Sequence, residues 1–310
     1  MLRQTPDKYG FCVTALPVIF DCDPGKDDAF ALFLALALPD VFDVLAVTTV
    51  AGNVAVERTS VNARRIVEAA GRPDIPVYAG CERPMLRRLK TATETHGIDG
   101  LGGSGLPEPA EGPLETHAVT ALIRLLEASD RPVTIVAIGP LTNIATMLIA
   151  HPDIASSIGH LAVMGGASGR GNMTARAEFN IHVDPHAAHV ALSVASPISL
   201  VTLDTTSNLR PPMTWFDAMG DFGRPGAALL GMWRAAPVAL YDVAVTGLLA
   251  WPDIFTLEEG AVDVVIEDGN QCARTVITPG AGPVQVVTAI DQQTFLDRTA
   301  HAMKAFGVAP

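Results

Sequence analysis

The sequence predicts an α/β fold, an open and mostly parallel sheet with helices on both faces and an appended antiparallel hairpin. Three observations carry this. Short β-branched runs alternate with segments of helical length from residue 18 onward. The 310 residues are 49% hydrophobic and 17% charged, which suffices to bury a large core. Late in the chain, Asp268-Gly269-Asn270 forms a turn signal between two further strand-like runs.

Residues 18–22 and 44–49 read as strands, and residues 27–38 and 56–70 as helices, the first stopped by Pro39. The alternation continues with a strand at 76–79, a helix at 117–128, a strand at 133–138 and a helix at 141–150. Strands follow at 161–164 and 199–203. Between them Asp184 supplies an N-cap carboxylate and Pro185 a first helical residue that needs no amide hydrogen, so a helix is expected from there to about residue 195. Residues 262–266 and 273–277 make the hairpin. No low-complexity stretch marks a linker, so residues 1–310 are expected to form one domain.

Composition removes several function classes. A net charge of −12 repels phosphate backbones and anionic lipid, which argues against nucleic acid and membrane partners. The longest apolar run, residues 29–38, is ten residues against the ~20 that a bilayer-spanning helix needs. Arg3 and Lys8 followed by the apolar run at 11–20 imitate an export signal. That run contains Pro17 and leads straight into an acidic cluster, so it is assigned to the first buried strand. Cys12, Cys22, Cys81 and Cys272 form no CxxC pair, which excludes zinc ribbons and redox pairs and fits a reducing, cytoplasmic setting.

The sharpest feature is Asp21-Cys22-Asp23-Pro24-Gly25-Lys26-Asp27-Asp28, with four carboxylates in eight residues between the first strand and the first helix. Pro24-Gly25 bends the chain so that Asp23 and Asp27 or Asp28 converge at a strand end, where open α/β sheets bind ligands. Hard oxygens gathered at one point suit Ca²⁺ or Mg²⁺. The competing interpretation is a solvated turn whose acids complement the helix dipole; four acids around Pro-Gly after a buried strand favour the metal site. No ligand series continues to a twelfth-position glutamate, as an EF-hand requires.

Two glycine-rich stretches, 97–106 and 165–172, are candidate active-site loops. Gly100, Gly102 and Gly105 satisfy GxGxxG in form, but no strong strand precedes them and Pro107 and Pro109 follow where a helix should open, so a dinucleotide site is rejected.

DCDPGKDD resembles the N-terminal signature of the inosine-uridine preferring nucleoside hydrolase family. The likeness extends over nearly the whole chain, through TTVAGN at 48–53, His96-Gly97 with Gly100-Leu101, GPLTN at 139–143, MGG at 164–166, and Asn172 with AEFN at 177–180. It implies a Rossmann-like nucleoside hydrolase fold, a ribonucleoside N-glycosidase serving purine and pyrimidine salvage, and a homodimer or homotetramer. It also implies Ca²⁺ held by Asp23, Asp28, Asp242 and the main-chain carbonyl of Ile138, where family members often have threonine. Asp23 would be the general base for the water, Asp27 would bind a ribose hydroxyl, and Asn53 would orient these groups. Asn172, Glu178 and Asn180 match the sugar-binding positions, with Met164 packed on the sugar. The other interpretation of AEFN is a polar edge around a buried Phe179.

The resemblance breaks at Tyr241-Asp242-Val243. Many family members have His-Asp-Pro there, the histidine protonating the departing base. A phenol with a pKa near ~10 is a weak acid at neutral pH, and His96, which the resemblance places near the base, is the other candidate. Trp233 and Trp251 are expected in the core rather than against the base, and Asp184 as a cap rather than a ligand. The leading expectation is therefore a Ca²⁺-dependent ribonucleoside hydrolase. Its alternatives are a Ca²⁺-dependent ribose or nucleoside-binding protein that no longer hydrolyses, and a hydrolase of an atypical ribosyl compound. A Mg²⁺ phosphohydrolase is set aside because no Asp-x-Asp-Gly-Thr pattern occurs at the acidic turn.

Overall fold

Strand β1 (Leu16–Cys22) is buried along almost its whole length, as expected of a strand covered on both faces. Its side chains alternate: Val18, Phe20 and Cys22 enter one core and Ile19 the other. The computed structural model describes residues 15–194 and 197–307. The apolar run at 11–20 is a strand from Leu16 onward; Cys12 and the basic residues before it lie outside the described residues, as does the expected end of the helix at 195.

β1 pairs in parallel with β2 (Phe42–Thr49) on one side and β4 (Val133–Ala137) on the other. Outside β2 lies β3 (Val77–Ala79), and beyond β4 lie β5 (Ile158–Met164) and β6 (Ile198–Val201), all parallel. Three strands complete a nine-stranded sheet of order β3-β2-β1-β4-β5-β6-β9-β7-β8, where β7 is Phe255–Val264, β8 Thr275–Pro279 and β9 Val284–Ile290. β9 is parallel to β6, and β7 runs antiparallel to both β8 and β9. The mostly parallel sheet and its antiparallel hairpin are as expected. β7 begins at Phe255 rather than 262 because its first half pairs with β9, a strand the sequence did not reveal.

Helices α1 (Lys26–Leu36) and α2 (Val56–Ala69) cover one face together with α7 (Gly223–Ala235), α8 (Val243–Ala250) and α9 (Gln292–Met303). On the other face lie α3 (Ala118–Ala128), α4 (Thr142–Ala150) and α6 (Pro185–Leu192), the last preceded by the short α5 (Phe179–Val183). α1 is buried at every position and carries no polar stripe, so it is an inner helix, sandwiched between the sheet and α8. Its Ala31 carbonyl accepts a hydrogen bond from Thr246 Oγ1 at 3.3 Å. Asp184 caps α6 as expected, accepting from the Ala187 amide at 3.1 Å. No described helix is long and apolar enough to cross a membrane.

Strand order reverses between β1 and β4, and ligands bind at such switch points beyond the carboxyl ends of the strands. β1 ends there on the acidic turn and β4 on Ile138-Gly139-Pro140. Trp233 sits in the core, its ring stacked on Phe216 at 4.7 Å and its Nε1 donating to the Val238 carbonyl. Trp251 packs edge-on against Phe295.

Candidate active site

The acidic turn is built by hydrogen bonds in which its carboxylates accept, Asp28 through both oxygens. Asp28, in the first turn of α1, reaches back so that its Oδ2 accepts from the Gly25 amide at 2.9 Å and its Oδ1 from the Asp23 amide at 3.2 Å. The Gly25 amide is a donor that a helix start leaves unpaired. Asn53, in the loop after β2, donates its side-chain amide to Asp28 Oδ2 and to the Asp23 carbonyl, both at 3.1 Å, and its own backbone amide to Asp23 Oδ2 at 2.6 Å. Two glycines make room for this: a Cβ at Gly139 would stand 2.7 Å from Asp23 Oδ1, and one at Gly52 would collide with Oδ2. Asp23 Oδ1 is buried without a hydrogen-bond partner among the described residues.

Asp21 does not line the pocket. It lies beneath, its Oδ1 accepting from Thr48 Oγ1 at 2.6 Å and Asn143 Nδ2 at 2.8 Å. Asn143 also donates to the Thr49 carbonyl and accepts from the Cys81 amide, and so ties β1, β2 and α4 together. Asp242, immediately before α8, joins Asp23 and Asp27 in lining the pocket. Oxygen atoms of Asp27, Asp28 and Asp242 lie within 4.8 Å of one another, all buried.

Charge crowded this way in a low-dielectric site resists ionisation. Burial first, then neighbouring carboxylates, push Asp23 and Asp242 well above the usual carboxylate range. Asp27 is raised to about 8 by burial and by Asp28, and Asp28 to about 6 by burial. The nearest titratable cation is no remedy. His96 Nδ1 stands 4.0 Å from Asp27 Oδ1, but burial and Lys26 lower its pKa to about 4, so the ring is neutral. Lys26 directs its ammonium elsewhere, to the Ala236 carbonyl at 3.1 Å. Hard oxygens, an unpartnered buried Asp23 Oδ1 and no neutralising side chain among the described residues make a donor set that fits a divalent cation.

Around this floor lies a pocket of about 290 Å³, at the small end of ligand sites and therefore of a size for one small molecule. Asp23, Asp27, Asn53, His96, Ile138, Met164, Asn172, Glu178, Asn180, Tyr241 and Asp242 all line it; Asp28, the remaining residue expected there, is held just behind by Gly25 and Asn53. Glu178 caps α5, its Oε1 accepting from the Asn180 amide and its Oε2 from the Ile181 and Gly166 amides. Burial nevertheless raises its pKa to about 7. Asn180 spends its Nδ2 on the carbonyls of Ile138, at 2.9 Å, and Met164, which leaves Oδ1 as its polar atom for a ligand. Asn172 stands exposed at the mouth and Met164 is buried in the wall.

Of the two glycine-rich stretches, 165–172 reaches the pocket through Asn172, whereas no residue of 97–106 lines it. Thr95 and His96, on the helical turn Thr93–His96 just before, do so instead. The stretch at 97–106 is a buttress: Asn62 Nδ2 bridges the Asp99 carbonyl to that of Pro24, bracing the acidic turn from behind. His96 Nδ1 accepts from the Lys26 amide at 3.1 Å, so the ring proton is carried on Nε2. Neither Trp233 nor Trp251 lines the pocket.

Sequence reasoning missed Arg210. It lies in the loop leading to the helical turn Met213–Asp217, lines the pocket, and donates from its NH2 group to the Tyr241 hydroxyl at 3.2 Å. No motif surrounds it, so no local signal marks it. Burial raises the pKa of Tyr241 above its usual value, the Arg210 charge opposing that rise, so the phenol is a hydrogen-bond donor and not a strong acid.

A doubly wound sheet with a carboxylate cluster at its switch point, facing amide and carboxyl groups suited to sugar hydroxyls, defines a glycoside-cleaving enzyme of the nucleoside hydrolase type. Comparison with known proteins agrees. The family model "Inosine-uridine preferring nucleoside hydrolase" matches residues 18–297, and the chain belongs to that family. It is 36% identical over 310 residues to a pyrimidine-specific ribonucleoside hydrolase, RihA, of Salmonella paratyphi C, covering 94% of this chain and 99% of that protein. Among solved structures it resembles a plant nucleoside hydrolase (TM-score 0.83, 33% identity, 95% of this chain and 99% of the other). It also resembles a purine-preferring ribonucleoside hydrolase from Gardnerella vaginalis (TM-score 0.88, 26% identity, 94% of this chain and all of the other). The chain is thus an N-glycosidase, and the expectation of an enzyme prevails over that of a binding protein.

Proposed function

We propose that the protein hydrolyses the N-glycosidic bond of ribonucleosides to free base and ribose in a Ca²⁺-dependent reaction, with Asp23 as general base. The observation that carries this is the buried group of Asp27, Asp28 and Asp242 at the pocket floor, beside an Asp23 whose Oδ1 is unpaired. Asp23, Asp28, Asp242 and the Ile138 carbonyl would hold the ion, within one domain spanning residues 1–310. When bound, the ion lowers the pKa of water and grips vicinal hydroxyls.

The remaining steps belong to the side chains. Asn53 fixes the Asp23 carboxylate by its Oδ2, so that Oδ1 is the atom that takes the proton of the attacking water. Asp27, Asn172, Glu178 and Asn180 hold the ribose, and Met164 packs against it. As the bond to the base lengthens, positive charge grows on the sugar ring, which neighbouring carboxylate and amide oxygens stabilise. At the base end, His96 and Tyr241 supply neutral N–H and O–H donors. The RihA relative is named pyrimidine-specific, so pyrimidine ribonucleosides are the first substrates to try. A homodimer or homotetramer in the cytoplasm completes the proposal.

The test is reducing-sugar release from purine and pyrimidine ribonucleosides and from nitrophenyl riboside, each with Ca²⁺ and with chelator. Chelator-sensitive release from ribonucleosides is expected. Undiminished release after exhaustive chelation would overturn the metal dependence, and no release from any riboside would overturn the hydrolase assignment.

A further inference from the structure

At the position where the family resemblance expects an acid for the departing base, this chain carries Tyr241, and Tyr241 is bonded to Arg210. The Tyr241 phenol feels the charge of Arg210 and, with opposite effect, those of Asp27, Glu178 and Asp242, all of which line the same pocket. Arg210 is the only Arg or Lys among the described residues lining the pocket.

Its placement is specified twice, Nε donating to the Ser207 carbonyl at 3.0 Å and NH2 to Tyr241 Oη at 3.2 Å. A guanidinium has five N–H donors in a rigid plane, so this anchorage leaves others free for a ligand. Pro237 and Val238 also line the pocket and offer apolar surface on which a flat base can lie. A permanent cation cannot act as a proton donor, but it can stabilise a leaving group that departs with negative charge.

We propose that Arg210 is the leaving-group residue of this site, its guanidinium, fixed by Tyr241 and Ser207, binding the departing base as an anion, so that the substrates are ribosides of acidic, carbonyl-bearing bases such as uracil. This rests on the ribonucleoside hydrolase assignment above. In the reaction the oxygen of water bonds to the anomeric carbon and the carbon–nitrogen bond breaks. The electron pair passes to the base nitrogen and spreads onto the adjacent carbonyl oxygen, where planar N–H donors meet it in pairs. The proton of the water goes to Asp23, and the base anion takes a proton from solvent after release. Bases without an acidic N–H gain nothing from Arg210.

The experiment compares the unaltered protein with Arg210→Ala and Arg210→Lys on uridine, 5-fluorouridine and nitrophenyl riboside in saturating Ca²⁺, with melting temperatures checking the fold of each variant. Arg210→Ala should lower kcat/KM for uridine about 100-fold, less for 5-fluorouridine, and by under about 3-fold for nitrophenyl riboside, whose leaving group needs little help. Arg210→Lys should recover part of the loss, since it restores charge without the planar fork. Equal losses on all three ribosides, or unchanged uridine turnover in Arg210→Ala, would overturn the proposal while leaving the hydrolase assignment intact. No release by the unaltered protein would instead overturn that assignment and this one with it.

Discussion

Asn53 grips Asp23 twice, its backbone amide donating to Asp23 Oδ2 at 2.6 Å and its side-chain amide to the Asp23 carbonyl at 3.1 Å. The two residues are thirty apart in sequence, yet the carboxylate is held so that one oxygen is occupied and the other is not. Such preorganisation suits both roles proposed for Asp23, metal ligand and base, because the carboxylate need not search for its orientation during a reaction.

Asp23→Asn should reduce kcat by about 10³-fold, within the range for loss of a general base, and weaken Ca²⁺ binding as well. Steady-state kinetics at saturating Ca²⁺, with calorimetric titration of the ion, separate the two effects. Near-full turnover in the Ca²⁺-loaded variant would rule out Asp23 as the base.

The carboxylate cluster makes the stability of the chelated protein fall with rising pH. Folding raises Asp28 to about 6 and Asp27 to about 8, so the folded state binds more protons than the unfolded one above the ordinary carboxylate value of 3.8. Their contribution is therefore fully present below about pH 4 and is lost as pH rises through those folded values. On the proposed Ca²⁺ dependence the ion would bind the ionised form, so the melting-temperature gain it confers should be larger at pH 8 than at pH 5. Scanning calorimetry at both pH values checks this, and a gain that stays the same or shrinks would argue against the cluster as the ion site.

The role proposed for His96 is that of a neutral donor. With its pKa held near about 4, the ring does not titrate between pH 5 and 8. His96→Gln should lower kcat/KM without moving any inflection of the pH–rate profile in that window. The sign for stability is opposite to that of the carboxylates: a depressed pKa gives a contribution present above the ordinary value of 6.5 and lost as pH falls toward about 4. An inflection near pH 6.5 that vanishes in the variant would show that the ring carries charge during turnover.

Trp233 links the core to the pocket, because the carbonyl it bonds belongs to Val238 in the pocket wall. Trp233→Phe removes that bond while keeping an aromatic ring against Phe216, and should cost about 1–3 kcal/mol of stability and raise KM. Urea unfolding measures the first and kinetics the second. A stability loss with unchanged KM would confine Trp233 to the core.

Much of the parallel sheet is legible because a strand buried on both faces and an amphipathic helix have different lengths and periods. Residues 133–138 and 141–150 are read nearly as they fold, to β4 and α4. β9 was missed because its value lies in a partnership with β6 and β7 that no local pattern records. In the site, the acidic turn announces itself by crowding, whereas Asp242 is legible only through family resemblance and Arg210 not at all.

By itself, then, the sequence determined the alternation that makes the sheet and the turn that places Asp23, Asp27 and Asp28 at the end of β1. These depend on neighbours within a few residues, where propensity, Pro-Gly geometry and helix-start hydrogen bonds act directly. Only the tertiary structure brought Asp242 to those acids and Arg210 to Tyr241, across separations of 214 and 31 residues. α8 must pack along α1 to present Asp242, and the loop after β6 must return over the pocket to present Arg210. Both arrangements are set by which apolar faces are buried together, a property of the whole chain that no single segment contains.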